Sequence, residues 1–280
     1  MAETSKPSTW LKPGEYAVEL FREGLKVIQS RQGYCFTMDA VLLAFFVTLK
    51  PGSRVADLGT GSGIIPLLLT TRAKDLKLWG FELQEALVER AQRSVRLNGL
   101  DSLIKIQRLD LRRTAESHPP DSFATVVCNP PYWPLGQGRI SSRAEVAKAR
   151  HEVDCTLEEA VQAGQWLLRP GGGFALVQPW QRRIEALETL AKYGLQLKRW
   201  REVRHKSTVA PSLILVEAIK ADKKSTAAVG LPTDKESVPA AGLPIAGDLE
   251  REIERSRLEP LVIYDQQGKF LPEVAAIYHG

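Results

Sequence analysis

Residues 53–69 read SRVADLGTGSGIIPLLL. Val55, Ala56 and Leu58, interrupted by Asp57, lead into glycines at every second position, Gly59, Gly61 and Gly63, and an apolar run follows. This is the pattern of a buried strand, a tight turn and a helix. Glycine accepts positive φ and lets a ligand come close to the backbone. The first turn of the helix behind it leaves N–H groups without intrahelical partners. The third glycine falls one position short of the dinucleotide spacing G-x-G-x-x-G, and no GK[ST] follows. Phosphate cradling by the P-loop route is therefore out, and the dinucleotide fingerprint is not matched.

Outward from that stretch, strands and helices alternate. LKLWGFE, LIKIQRLD, FATVVCN and GFALVQP read as further strands. QEALVERAQRSVRLNG, closed by Asn98-Gly99, and RRIEALETLAKYG read as helices. LQLKRWREVRH and SLILVEAIK read as an antiparallel pair. On the N-terminal side, Tyr16, Val18 and Leu20 and then Leu25 and Val27 flank "REG", a β-hairpin. A helix capped by Thr37 or Asp39 and carrying Val41, Leu42, Phe45 and Phe46 joins it to the alternating region. The expected fold is α/β, Rossmann-like and doubly wound, with a mostly parallel seven-stranded sheet, an antiparallel strand pair and the N-terminal hairpin. Four parts follow: a hairpin-and-helix extension over 1–50, the main domain over 51–220, a disordered linker over 221–248, and a segment over 249–280 that packs back. The linker is assigned from its Ala, Pro, Gly, Ser and charged residues, which bury little.

Composition limits the function classes. The 280 residues carry no run of eighteen apolar residues, and the N-terminus lacks an apolar signal core. Cys35, Cys128 and Cys155 are odd in number and far apart, which argues against disulfides and zinc and for a reducing cytoplasm. No metal and no membrane partner are expected, and a monomer is the expected state. The net charge of +5 permits a polyanionic partner.

Carboxylates stand at the ends of successive strands. Asp57 precedes the glycine loop, Glu82 ends the second strand 25 residues later, and Asp110 ends the third. Ligands of such sheets bind at the carboxyl ends of the strands. Glu82 suits two adjacent ribose hydroxyls, and Asp110 can accept from an adenine amine. The fourth strand delivers CNPPYW, residues 128–133, to the same edge. An amine conjugated to a ring or carbonyl is a poor nucleophile. The Asn129 side-chain oxygen and the Pro130 carbonyl can accept its two N–H bonds and aim the lone pair. Pro130 and Pro131 stiffen these acceptors, and Tyr132 can stack on a planar substrate.

The glycine loop with its carboxylates resembles the class I S-adenosylmethionine-dependent methyltransferases over about residues 53–220. That resemblance implies S-adenosyl-L-methionine as cofactor, with Asp57, Gly59, Thr60, Gly61 and Gly63 around its methionine part. Glu82 would lie at the ribose and Asp110 at the adenine. Asn129, Pro130, Pro131 and Tyr132 match the NPPY signature of amino-group methyltransferases. RQGYCFTMDAVLLAFF, CNPPYW, ARHE and EPLVIYDQQGKF extend the likeness over nearly the whole chain to the bacterial tRNA(Val) adenine-N6 methyltransferase family. That family modifies the adenine 3′ of the anticodon. A tRNA partner follows, with Trp133, Arg143, Arg150 and His151 as substrate contacts. Gly33, Tyr34 and Phe36 would form a lid, with Phe36 touching the cofactor. A second basic run, Lys198 to Lys206, could meet phosphates, and Trp180 could flank a base.

Other readings remain at this point. A glutamine-amide methyltransferase of a translation release factor uses the same four residues, but usually carries a helical domain where this chain has a hairpin. Methylation of rRNA or DNA adenine is open, since a short motif does not name the nucleic acid. A non-catalytic RNA-binding copy of the fold would be expected to lose the glycines, Glu82 or Asn129. A nicotinamide oxidoreductase would need the missing glycine spacing.

Overall fold

A computed structural model describes residues 10–20, 24–33, 35–132, 155–221 and 246–279. Within them the alternating pattern forms one eight-stranded sheet, with the N-terminal hairpin as a separate two-stranded sheet. The hairpin strands are β1 (Glu15–Glu19) and β2 (Lys26–Ser30), paired antiparallel. Strands β3 (Arg54–Leu58), β4 (Lys77–Glu82), β5 (Ile104–Arg108), β6 (Phe123–Cys128) and β7 (Leu168–Pro179) pair parallel in the order β7-β6-β3-β4-β5. β9 (Leu213–Lys220) lies antiparallel between β7 and β8 (Leu195–Arg204). The sheet has eight strands rather than the expected seven. The extra one, β10 (Leu261–Val262), adds parallel to β8 at the edge. β7 also starts earlier than expected, at Leu168, with an irregular register between Phe123 and Thr125 of its partner β6.

The helices are α1 (Met38–Phe46), α2 (Ile64–Leu69), α3 (Glu85–Leu97), a single turn α4 (Thr114–Ser117), α5 (Leu157–Leu167), α6 (Arg183–Lys192), α7 (Ala246–Arg255) and α8 (Pro272–His279). Alternation along the strands splits the core in two. Val55, Val127, Ala175 and Val177 face one cluster with Leu42, Leu68 and Val95 of α1–α3. Ala56, Leu58, Val126 and Leu176 face the other with Val161 and Leu187 of α5 and α6. Helices on both faces of a parallel sheet leave its carboxyl-end edge for ligands.

The hairpin is bound to α3 by polar contacts. Asn98 accepts from the Lys26 N–H at 2.8 Å and donates to the Lys26 carbonyl at 2.7 Å. The Ser94 hydroxyl oxygen accepts from the Ile28 N–H at 2.9 Å. Glu15 meets Arg93 at 2.6 Å, with side chains 8% and 10% exposed. Thr37 occupies the N-cap of α1 but makes no side-chain cap bond. Its hydroxyl donates to Asp39 in the first turn instead. The linker proposed over 221–248 falls almost wholly on residues 222–245, outside the described residues.

Candidate active site

β3 ends under the glycine loop, and β4 ends beside it. Gly59, Gly61 and Gly63 all have positive φ, at 72°, 56° and 82°. The Gly59 and Thr60 N–H groups both donate to the Phe81 carbonyl at 2.9 Å, which folds the loop over β4. The Gly61 N–H donates to Glu82 Oε2 at 3.0 Å, and the Gln84 N–H donates to Glu82 Oε1 at 2.9 Å. Two backbone donors thus fix a carboxylate that is only 8% exposed. They use two of its roughly four acceptor positions.

Asp57 lies beneath, 2% exposed, and neither of its carboxylate oxygens has a hydrogen-bond partner among the described residues. The buried hydroxyls of Thr60 and Ser62 are likewise unpartnered. Burial pushes the Asp57 carboxyl up to about 7, and the Glu82 charge adds to the rise. Buried polar atoms without partners are rare in folded proteins, and three residues of one loop carry them here.

A cleft of about 740 Å³, including its open mouth, lies at this edge. Its lining joins the loop to the end of β6: Gly59, Gly61, Glu82, Asp110 and Asn129, with Pro130 and Pro131. Leu83, Leu87, Leu109 and Leu111 supply apolar walls. Convergent polar groups on apolar walls are the lining a nucleoside requires.

The segment 129–132 is held from two sides. The Tyr132 hydroxyl donates to Asp39 Oδ2 at 2.6 Å, reaching α1 across 93 positions of sequence. Arg182, in the turn after β7, donates to the Tyr132 carbonyl at 3.2 Å and the Pro131 carbonyl at 3.4 Å. Glu185 orients that guanidinium through its Nε at 2.8 Å. Sequence reading missed both ties. Asp39 was legible only as a cap, and Arg182 as one cation in a helical start.

The family model for the methyltransferase small domain matches residues 37–193. The chain belongs to that family. The match runs from the residue before α1 through the end of α6, and so includes the glycine loop, Glu82, Asp110 and residues 129–132. Among relatives, the tRNA1(Val) (adenine(37)-N6)-methyltransferase of Photobacterium profundum is 28% identical over 196 residues, 69% of this chain and 80% of the relative. The protein of the same name from Tolumonas auensis is 29% identical over 181 residues, 64% and 73% of the two chains. Among solved structures, a predicted O-methyltransferase from Agrobacterium tumefaciens superposes with a TM-score of 0.60 at 19% identity. It covers 86% of this chain and 95% of that one, which shows a common fold.

Within this methyltransferase domain, other expected site residues sit differently. Asp110 lies two residues past the end of β5, lines the cleft and caps a 3-10 turn, accepting from the Arg112 N–H at 3.0 Å. Its second oxygen meets Arg112 Nη2 at 2.6 Å. Bonds from the Arg112 side chain hold the carboxyl below its usual range, against a smaller upward push from burial. Phe36 is half-buried against the α1–α3 cluster and is not part of the cleft lining. Trp180 packs against the other cluster, 6.2 Å from Trp200. The basic run on β8 is largely engaged internally: Lys198 and Arg199 pair with Glu217, Arg201 with Glu273 and Arg204 with Glu202. Trp133, Arg143, Arg150, His151 and Tyr34 lie outside the described residues. Among the described residues no group of three or more His, Cys, Asp and Glu could hold a metal, and no helix is long and apolar enough to cross a membrane.

Proposed function

We propose that this protein transfers a methyl group from S-adenosyl-L-methionine to the exocyclic N6 amine of an adenine in tRNA, the adenine 3′ of the anticodon of tRNA(Val). The observation that carries the reading is a single cleft lined by both the glycine loop with Glu82 and the Asn129-Pro130-Pro131 segment. The names of the relatives favour RNA over a glutamine amide, the other substrate these residues could serve.

The residues present fit the cofactor. Its sulfonium supplies an electrophilic methyl group, so no metal is required for the transfer. Asp57, Thr60 and Ser62 bring unpartnered polar atoms to the loop, where a charged amino-acid moiety needs acceptors and donors. Gly59, Gly61 and Gly63 let the backbone approach it, and Glu82 is already oriented for a ribose diol. Asp110 would reach the adenine only by sharing its oxygens with Arg112.

On the substrate side, the Asn129 oxygen and the Pro130 carbonyl would accept the two N6 hydrogens. That draws the nitrogen lone pair out of conjugation and towards the methyl group. The acceptors are preorganised, since prolines fix φ and Arg182 holds the next two carbonyls. The bond from Tyr132 to Asp39 fixes the ring that would stack on the adenine. Catalysis is then positioning and charge stabilisation without a covalent enzyme intermediate. Asn129→Ala is expected to lower kcat on the order of 10²- to 10³-fold while the cofactor Kd stays within about threefold. Equal loss of cofactor binding would assign Asn129 to the fold rather than to the chemistry.

A further inference from the structure

Four aromatic rings that the proposed chemistry does not use form a column at the same sheet edge. His205, Tyr264, Phe270 and Tyr278 stand with successive centroids 6.4, 5.1 and 4.9 Å apart and interplanar angles of 6°, 14° and 15°. These are offset-stacked rings. The inner member, Tyr278, is buried, whereas the outer member, His205, is exposed. Core packing alone accounts for the three inner rings, but it does not call for a planar ring at the solvent end.

The topology places this column beside the candidate active site. β7 and β8 are both antiparallel to β9, so β8 ends at the edge where β6 and β7 end. β10 is parallel to β8 and ends there too. Backbone bonds join the two regions. The Tyr264 N–H donates to the His205 carbonyl at 2.9 Å, and the Ile263 N–H to the Arg204 carbonyl at 2.9 Å. The Ser212 N–H donates to the Val203 carbonyl at 2.8 Å, and the Trp180 N–H to the Ser212 carbonyl at 2.9 Å. Two residues on, Arg182 holds Tyr132. Three strand spacings, about 14 Å, separate the ends of β6 and β8.

The surroundings are cationic. Lys206 donates to the Gln266 carbonyl at 3.1 Å, and Lys269 is exposed on the neighbouring turn. Of the nearby carboxylates, Glu202 is paired with Arg204 and Arg257 and Glu273 with Arg201; Asp265 accepts from the Lys269 backbone N–H and leaves the two lysines in excess.

We infer that this edge is an RNA platform, on which His205 stacks an unpaired nucleobase neighbouring the target adenine while Lys206 and Lys269 meet the adjoining phosphates. The inference rests on the tRNA reading above. Extruding a base for chemistry breaks its stack with its neighbours. Single-stranded RNA regains stacking on aromatic side chains, histidine included, and its backbone follows cations.

The test measures the Kd of a labelled tRNA(Val) transcript across a salt series, with methyl-transfer kinetics on the same RNA. His205→Ala should raise Kd and KM on the order of 5- to 100-fold, the worth of one stacked base, with kcat and cofactor affinity unchanged. His205→Phe, which keeps a ring, should restore most of the affinity. Lys269→Ala should lower the slope of log K against log salt by about 1. Wild-type protein that methylates the transcript, with His205→Ala and Lys269→Ala binding it equally well, overturns the platform and leaves the proposed function standing. Wild-type protein that methylates no RNA removes the substrate reading and the platform with it.

Discussion

Asp57 is a carboxyl buried without a partner, pushed up to about 7 by that burial. A cationic ligand favours its ionised form, so the bound pKa lies below the free one. Cofactor affinity is then fully present above about 7 and falls as pH drops through that value, by roughly tenfold per unit. Calorimetry between pH 5.5 and 7.5 should show that fall, and Asp57→Asn should remove it; a flat wild-type profile contradicts the assignment. Asp39 makes a second residue-scale prediction. Asp39→Ala releases the Tyr132 hydroxyl and should lower kcat roughly tenfold, the worth of a hydrogen bond to a charged group, with cofactor Kd unchanged. Asp39→Asn keeps an acceptor and should recover part of the loss. The two residues differ in how far the sequence disclosed them. Asp57 and Glu82 are tied to their glycine loop by local spacing, so reading the loop found them. Asp39 and Arg182 reach Tyr132 across 93 and 50 positions, and no local pattern encodes such contacts.

At the scale of elements, a buried cluster of Glu15 with Arg93 and Arg90 helps hold the N-terminal hairpin on α3. Burial pushes the Glu15 carboxyl up, but bonds from Arg93, the Lys12 N–H and Arg90 outweigh it and hold the group at about 2. The folded pKa lies below the ordinary value of 4.5, so this stability is present above pH 4.5 and is lost as pH falls from there towards 2. It amounts to about 3 kcal/mol. Arg93→Ala removes the nearer of the two guanidiniums and leaves buried Glu15 with only the longer 3.4 Å contact to Arg90, and should cost about 3 kcal/mol, read from chemical denaturation at pH 7. A change under about 1 kcal/mol would mean the hairpin docks by apolar packing alone. Hydrophobic period made the long elements legible: β3, β4, β6 and α3 are where the pattern places them. The cations of the second basic run that lie on β8 itself are engaged within the protein for a physical reason. Lys198, Arg199 and Arg201 stand in register with glutamates on β9 and α8, and a linear run of charge does not show its partners. β10 pairs over only two residues, too short a run for its place in the sheet to be read from period.

For the whole molecule, the C-terminal segment completes the sheet and one core cluster. Leu261, Ile263, Val274 and Tyr278 are buried with α1–α3, and the Trp200 N–H and carbonyl pair with Ser256 and Leu258. Four buried apolar side chains contribute on the order of 6–10 kcal/mol, comparable to the whole stability of an ordinary domain. Truncation after residue 245 should therefore give insoluble or unfolded protein; a soluble truncated chain with an unchanged Tm contradicts this. Labelled S-adenosylmethionine is incubated with the protein and, separately, total tRNA lacking the modification, total rRNA and purified release factor, followed by nucleoside and peptide analysis. The expected product is label as N6-methyladenosine in tRNA, at the adenine 3′ of the tRNA(Val) anticodon. Label in release factor with none in tRNA would keep the Asn129 site and contradict the substrate assigned to it.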